Sequence, residues 1–189
     1  VKVIVIGSST GGPPVVEDIL TALPEDFPAA IVIAQHMPEF FTHKFAERLD
    51  KLTPLWVKRA ESGDKLKAGQ VLIAPADSHF LLKKNGHDNI VLLEEHTGPH
   101  TGPRPRIDEV MSALVKQYGA EVVGIILTGM GDDGRQGIEA IHKAGGYVIA
   151  QDPDTASIAS MPESIITAQL VDEILRPEDI PICIKKLVA

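Results

Sequence analysis

Runs of β-branched and aliphatic residues alternate along this chain with stretches in which apolar positions recur every three or four residues. Residues 2–6, 29–34, 55–58, 71–74, 122–127, 147–150 and 170–174 read as strands. Segments 13–23, 39–52, 108–118, 135–144 and 178–188 read as helices; in the second, Phe41, Phe45 and Leu49 fall on one stripe. Pro13 and Pro14 suit a helix's first turn, where a missing N–H costs little. This alternation predicts an α/β fold, a doubly wound, mainly parallel sheet with helices on both faces. Residues 79–94 break the pattern. Two apolar runs, 81–84 and 90–93, flank Asn85-Gly86, which predicts an antiparallel hairpin with a loop somewhat longer than two residues. Beyond it, His96-Thr97-Gly98-Pro99 is repeated at once as His100-Thr101-Gly102-Pro103, a loop too short for a repeat architecture.

Three polar turns each follow a strand-like run: Gly7-Ser8-Ser9-Thr10-Gly11-Gly12, Gln35-His36-Met37-Pro38 and Gly129-Met130-Gly131-Asp132-Asp133-Gly134. In an open α/β sheet the carboxyl ends of the strands are where ligands and catalytic groups collect. Gly7-x-Ser9-x-Gly11 matches a nucleophile elbow, in which flanking glycines let the backbone turn sharply and a serine Oγ projects from the top. A dinucleotide fingerprint would need Gly in place of Ser9 and an acid ending the second strand, and no Gly-Lys-Ser/Thr follows for a P-loop. From the turn alone, nucleophile, anion site and plain structural turn stand level. His36 changes that balance. It ends the strand expected beside that of Ser9, and neighbouring strands lie about 4.8 Å apart. Asp133 is a candidate third member, although Asp132 or Asp133 also suits an N-cap for the helix at Arg135. The order Ser, His, Asp differs from the Ser, Asp, His order of α/β-hydrolases.

The other histidines, His43, His79, His87, His96, His100 and His142, read as structural or solvated. His96 and His100 have i, i+4 spacing, but Gly98 and Pro99 oppose the helix that would make it useful. Asp77 with His79, and Asp132 with Asp133, form no recognisable ligand set, so no metal or cofactor is expected.

Composition narrows the class. At 189 residues the chain suits one domain, 1–189, with a sizeable core. A hydrophobic fraction of 44% without any apolar run near the roughly 20 residues needed to span a bilayer excludes an integral membrane protein. The start at Val1 lacks the layout of a signal peptide and an initiator Met, as in a domain cut from a longer chain. The single cysteine, Cys183, excludes an internal disulfide and fits the cytoplasm; among Ile180, Ile182 and Ile184 it reads as a small core residue. A formal net charge of −8 argues against a nucleic-acid partner.

Taken together, Gly-Ser-Ser-Thr-Gly-Gly, Gln-His-Met-Pro and Leu127-Thr128-Gly129-Met130-Gly131-Asp132-Asp133-Gly134 resemble the catalytic domain of CheB-type chemotaxis methylesterases. Residues 45–49, 73–79 and 150–152 are similar as well, in the family's order. The resemblance implies hydrolysis of glutamate γ-methyl esters on the cytoplasmic helices of methyl-accepting chemoreceptors, releasing methanol, with deamidation of receptor glutamines. It implies Ser9 as nucleophile, His36 as general base and Asp133 as the residue orienting His36. The Met130 N–H and the Thr10 side chain would support the oxyanion. Asp133 rather than Asp132 would face His36, leaving Asp132 exposed and free to cap the next helix. Family members usually carry a regulatory receiver domain, and no receiver sequence lies within these residues. Arg104-Pro105-Arg106 stands where the family often has Arg-Pro-Ser; Arg104 and Arg106 are candidates for holding an acidic receptor surface, or solvated loop charges. Two rivals stand beside this reading: a small-molecule serine esterase and a non-catalytic anion-binding module. For the three residues to converge within hydrogen-bonding reach, the strand before Ser9 must lie between the other two.

Overall fold

The computed structural model of the protein describes residues 2–99 and 101–189. Among the described residues seven strands form one sheet: β1 Val3–Ser8, β2 Ala30–Gln35, β3 Trp56–Arg59, β4 Gln70–Ile73, β7 Val122–Ile126, β8 Tyr147–Gln151 and β9 Glu173–Leu175. Their order is β3-β4-β2-β1-β7-β8-β9, and every neighbouring pair is parallel. The strand that leads to Ser9 therefore sits between those that lead to His36 and Asp133, at the point where the chain reverses its direction of sheet growth.

Side-chain alternation divides β1 between two cores. Ile4 and Ile6 point to a layer built from α1 Gly12–Thr21, α2 Glu39–Leu52 and α6 Ile180–Val188, through Ile19, Leu49 and Ile184 among others. Val3 and Val5 point to the opposite layer of α3 Ile107–Tyr118, α4 Arg135–Lys143 and α5 Ser160–Thr167, through Met111, Ile138 and Met161. Both faces being covered, the central strands are apolar at successive rather than alternate positions until their carboxyl ends, where Ser8, Gln35 and Gln151 stand. The layer of α3, α4 and α5 is packed closely. A Cβ on Gly137 would lie 2.6 Å from the Met111 Cβ, so only glycine lets α4 approach α3 at this spot.

The remaining two strands, β5 Ser78–Asn85 and β6 Asp88–Glu95, form a separate antiparallel ribbon that tucks Phe80 and Val91 under α3. Here the structure corrects the expected longer loop. Asn85 pairs with Asp88, leaving a two-residue turn of Gly86 and His87, with Gly86 at φ 62°. Glycine at the first central position supplies the positive φ of a tight hairpin, and Asn85 belongs to the strand. His79 on β5 bonds Glu109 on α3 (Nδ1–Oε2 2.8 Å) and is 3.0 Å from His96 Nδ1, so these two histidines help fasten the ribbon to the helix layer. His100 lies outside the described residues.

Other differences are local. The strand expected at 170–174 is β9, three residues long and later in the chain. The sequence pattern does not predict helix α5: its eight residues carry a proline, Pro162, and too few turns to display a period. Pro162 lies in the first turn, where no N–H is required of it. The expected cap of α4 by Asp132 or Asp133 is also corrected. Asp108 Oδ1 accepts from the N–H groups of Gly134 (3.0 Å) and Gly137 (2.8 Å), so an acid from α3 caps α4.

Candidate active site

The carboxyl ends of β2, β1 and β7 bring the three polar turns side by side. β1 runs two residues further than its apolar pattern suggests, through Ser8, which pairs with Gln35 of β2. One step beyond that pair stand Ser9 and His36, and the His36 N–H continues the ladder to the Ser8 carbonyl at 3.0 Å. On the other side the Ser9 N–H donates to the Thr128 carbonyl at 3.0 Å. The chain then turns through Thr10 and Gly11 (φ 81°) into α1, where Gly12 N–H donates to the Ser9 carbonyl at 2.9 Å. Ser9 is half-buried and its Oγ makes no hydrogen bond among the described residues.

His36 and Asp133 are joined. Nε2 of His36 lies 2.7 Å from Asp133 Oδ2, with side-chain exposures of only 6% and 18%. The same carboxylate accepts from Ile107 N–H through Oδ2 (2.9 Å) and from Asp108 N–H through Oδ1 (3.0 Å), capping the first turn of α3. Burial alone would raise the Asp133 carboxyl, but the hydrogen bond from His36 and those from Asp108 and Ile107 outweigh it and hold the group below its ordinary value. Asp108 shifts the other way: burial and the nearby Asp133 charge raise it against the two N–H groups of α4. An ionised Asp133 can only accept, so it selects the His36 tautomer protonated at Nε2. Nδ1 then keeps its lone pair, and that atom is buried with no hydrogen-bond partner among the described residues. The structure thus brings His36 and Asp133 into contact and sets Ser9 on the adjacent strand end, without a Ser9–His36 hydrogen bond. Asp132 is exposed and stands apart from the pair.

The sites expected around this centre separate in space. Thr10 and Met130 are both exposed at the rim, and neither backbone N–H finds an acceptor among the described residues. A cleft of about 590 Å³ opens beside His36, with Met37, Pro38, Glu39, Asp77 and Arg104 in its walls. Arg59 behind it bonds Glu39 Oε1 (2.5 Å) and Asp77 Oδ1 (2.9 Å), so those two acids are already paired. Arg104 makes no ion pair among the described residues, its Nε is buried without a partner, and its carbonyl receives the Met37 N–H at 3.1 Å. Arg106 is exposed at the start of α3 and lies outside the cleft walls. Cys183 is half-buried on α6; burial and the Glu173 carboxylate push its thiol up to about 11. Among the described residues no group of three His, Cys, Asp or Glu side chains is arranged to hold a metal ion.

Sequence reasoning passed over two buried amides. Gln35 ends β2 and is 2% exposed; its Nε2 donates to the carbonyls of Ser9 (2.9 Å) and His36 (3.1 Å), and its Oε1 accepts from Ser8 Oγ. Gln151 ends β8 and accepts from Thr128 N–H at 2.8 Å. The available signal was a single polar residue closing an otherwise apolar, buried strand, since such a group must find partners.

A parallel, doubly wound sheet with a buried His–Asp pair and a serine elbow at its switch point defines a hydrolase-like α/β protein. The comparisons make the class specific. The family described as CheB methylesterase matches residues 4–184. The chain is 44% identical over 188 residues to a protein-glutamate methylesterase/protein-glutamine glutaminase of Moorella thermoacetica, covering 100% of this chain and 44% of that protein. It is 41% identical over 183 residues to the protein of the same name from Methanococcus maripaludis, covering 97% and 50%. The crystal structure of the Thermotoga maritima CheB methylesterase catalytic domain superposes with a TM-score of 0.94 at 40% identity, over 98% of each chain. The chain belongs to the CheB methylesterase family. It spans about half the length of the curated relatives it matches.

Proposed function

We propose that this chain is a methylesterase catalytic domain, 1–189, that hydrolyses γ-methyl esters of glutamate on chemoreceptors and deamidates receptor glutamines. The observation that carries this reading is the His36–Asp133 pair, which leaves a buried, unpartnered Nδ1 at the strand end next to Ser9, in a chain of this family.

In this mechanism Ser9 Oγ attacks the ester carbonyl and its proton passes to His36 Nδ1. Asp133, ionised, steadies the imidazolium through Nε2–H and does not itself take the proton. The oxyanion of the tetrahedral intermediate is met by the N–H of Met130 and by Thr10. His36 Nδ1–H protonates the departing methoxide, so methanol leaves and an acyl-Ser9 remains. Water then gives a proton to Nδ1 and attacks the acyl carbon, and the glutamate carboxylate is released with Ser9 restored. With glutamine as substrate, ammonia leaves in place of methanol.

The substrate partner is the cytoplasmic helical region of methyl-accepting chemoreceptors, and Arg104, with Arg106 further out, meets acidic side chains that flank the modified site. A receiver domain, if the full-length chain has one, would regulate access. Among the described residues no helix is long and apolar enough to cross a membrane, and a cytoplasmic setting follows from the substrate. The test is methanol release from a methylated receptor fragment, with mass spectrometry locating the demethylated glutamates. Turnover of a simple aryl ester without turnover of the receptor would favour the small-molecule esterase. Failure of an active-site phosphonate to label Ser9 would favour the anion-binding module.

A further inference from the structure

The Gln35 carboxamide occupies an unusual place. It is fully buried, and its two N–H donors and its oxygen are all used: Nε2 on the carbonyls of Ser9 and His36, Oε1 on the hydroxyl of the buried Ser8. Only an amide nitrogen can serve two carbonyls at once, so the bonding pattern itself fixes which end of the side chain is which. The regular β1–β2 ladder stops just before this point, because both backbones are about to leave the sheet. Past the last ladder bond, from His36 N–H to the Ser8 carbonyl, one side chain links the two turns where the reacting residues stand. Gly12 makes this possible: a Cβ there would lie 2.4 Å from Gln35 Oε1 and 2.6 Å from Ser8 Oγ.

A second consequence follows from peptide planarity. The Ser9 carbonyl and the Thr10 N–H belong to one trans peptide group and point in opposite directions. Two donors, Gln35 Nε2 and Gly12 N–H, hold that carbonyl toward the interior. The Thr10 N–H is thereby turned the other way, and it has no acceptor among the described residues. In a nucleophile elbow the N–H of the residue after the nucleophile is an oxyanion donor.

We propose that Gln35 is a positioning residue: it sets the spacing of the Ser9 and His36 turns and aims the Thr10 backbone N–H at the oxyanion. This rests on the reading of Ser9 as nucleophile and adds to it a donor from the main chain and the side chain that orients it. The role differs from packing. Loss of the amide leaves Ser9, His36 and Asp133 chemically intact but loosens their mutual geometry, and small misplacements of reacting groups cost rate far more than they cost binding.

The experiment uses the rate at which a fluorophosphonate labels Ser9, which develops a comparable oxyanion and needs no receptor, together with kcat and KM on a methylated receptor fragment. Gln35→Met keeps the volume and removes every hydrogen bond. It should slow labelling and lower kcat by about 100- to 1,000-fold, the range for loss of oriented oxyanion stabilisation, with KM within about threefold. Ser8→Ala frees the amide oxygen but keeps both donors, and should slow labelling by about 3- to 10-fold, roughly one weakened hydrogen bond. Ile184→Val, in the α6 layer away from the site, serves as a variant that lowers the thermal midpoint without touching the turns. If Gln35→Met labelled Ser9 at the wild-type rate, or lost only as much rate as Ile184→Val at a matched loss of midpoint, the positioning role would be overturned. A wild-type protein whose Ser9 is not labelled would overturn the nucleophile reading itself, and the positioning role with it.

Discussion

Asp133 performs two tasks with one carboxylate: Oδ2 faces His36 Nε2 while both oxygens accept backbone N–H groups of α3. Its charge is thus paid for by fixed donors rather than by water, which keeps it ionised and keeps Nδ1 of His36 the free nitrogen. Substitutions should rank accordingly. Ser9→Ala and His36→Ala should each abolish most turnover, because the pair acts as one unit. Asp133→Asn keeps both reacting groups and should cost up to about 10⁴ in kcat, the scale of the corresponding change in serine proteases. The loss should be smaller on the methyl ester than on glutamine, since the amide nitrogen leaves only once His36 has protonated it, whereas methoxide can depart with less proton transfer; kcat/KM on ester and amide forms of one receptor fragment measures it. A Ser9→Ala protein with near-native turnover would remove the mechanism. At the cleft, Arg104→Ala should raise KM for an acidic receptor fragment several-fold with kcat little changed, and Arg106→Ala should do much less, because only Arg104 lines the wall beside His36. Equal effects from both would refute that distinction.

At the scale of elements, α3 and α4 cap one another. Asp133, just before α4, receives the first N–H groups of α3, and Asp108, in the first turn of α3, receives those of α4. Each acid sits at a positive helix end, yet the two are close enough to repel, and their carboxyls move in opposite directions. Asp108 has a folded-state value raised above its ordinary 3.8, so its contribution to stability is present below about that pH and falls away as pH rises through the raised value. Asp108→Asn keeps an oxygen acceptor and removes the charge. Its unfolding free energy should match the wild type near pH 3 and equal or exceed it at pH 7, by urea titration. Asp108→Ala removes the acceptor too and should cost about 1 kcal/mol, a typical N-cap loss. At the contact itself, Gly137→Ala should cost about 1–3 kcal/mol through overpacking against Met111.

For the whole molecule, the sheet is the frame that converts strand order into chemistry. Ser9 and His36 are 27 residues apart and Asp133 nearly a hundred further on, yet the order β2-β1-β7 makes their turns adjacent. The site therefore depends on the sheet rather than on any one loop, and it reports on acid stability. Asp133 has its carboxyl lowered by folding, so the stability it supplies is present above its ordinary 3.8 and is lost as pH falls through the lower folded value. The wild type should lose unfolding free energy on acidification below about pH 4 more steeply than Asp133→Asn does; parallel curves for the two proteins would contradict this. Removal of catalysis and loss of this pH-dependent stability should then be separable, since Ser9→Ala affects the first alone.

Much of this could be read in advance because it was written in local pattern. Apolar runs such as 3–6 and 122–127 are buried on both faces and can only be central strands, and the polar turns after them mark the working edge of the sheet. Ser9, His36 and Asp133 stood out because each is a reactive side chain in a polar turn that follows such a run. What remained for tertiary structure were relations between distant groups. The tight Gly86-His87 turn depended on the strand register, α5 on burial against the sheet, and the cap of α4 on Asp108 arriving from another helix. Gln35 was visible as a residue type but silent as to role, for an amide's meaning lies in the carbonyls it meets, and those belong to two turns that only the folded sheet sets side by side.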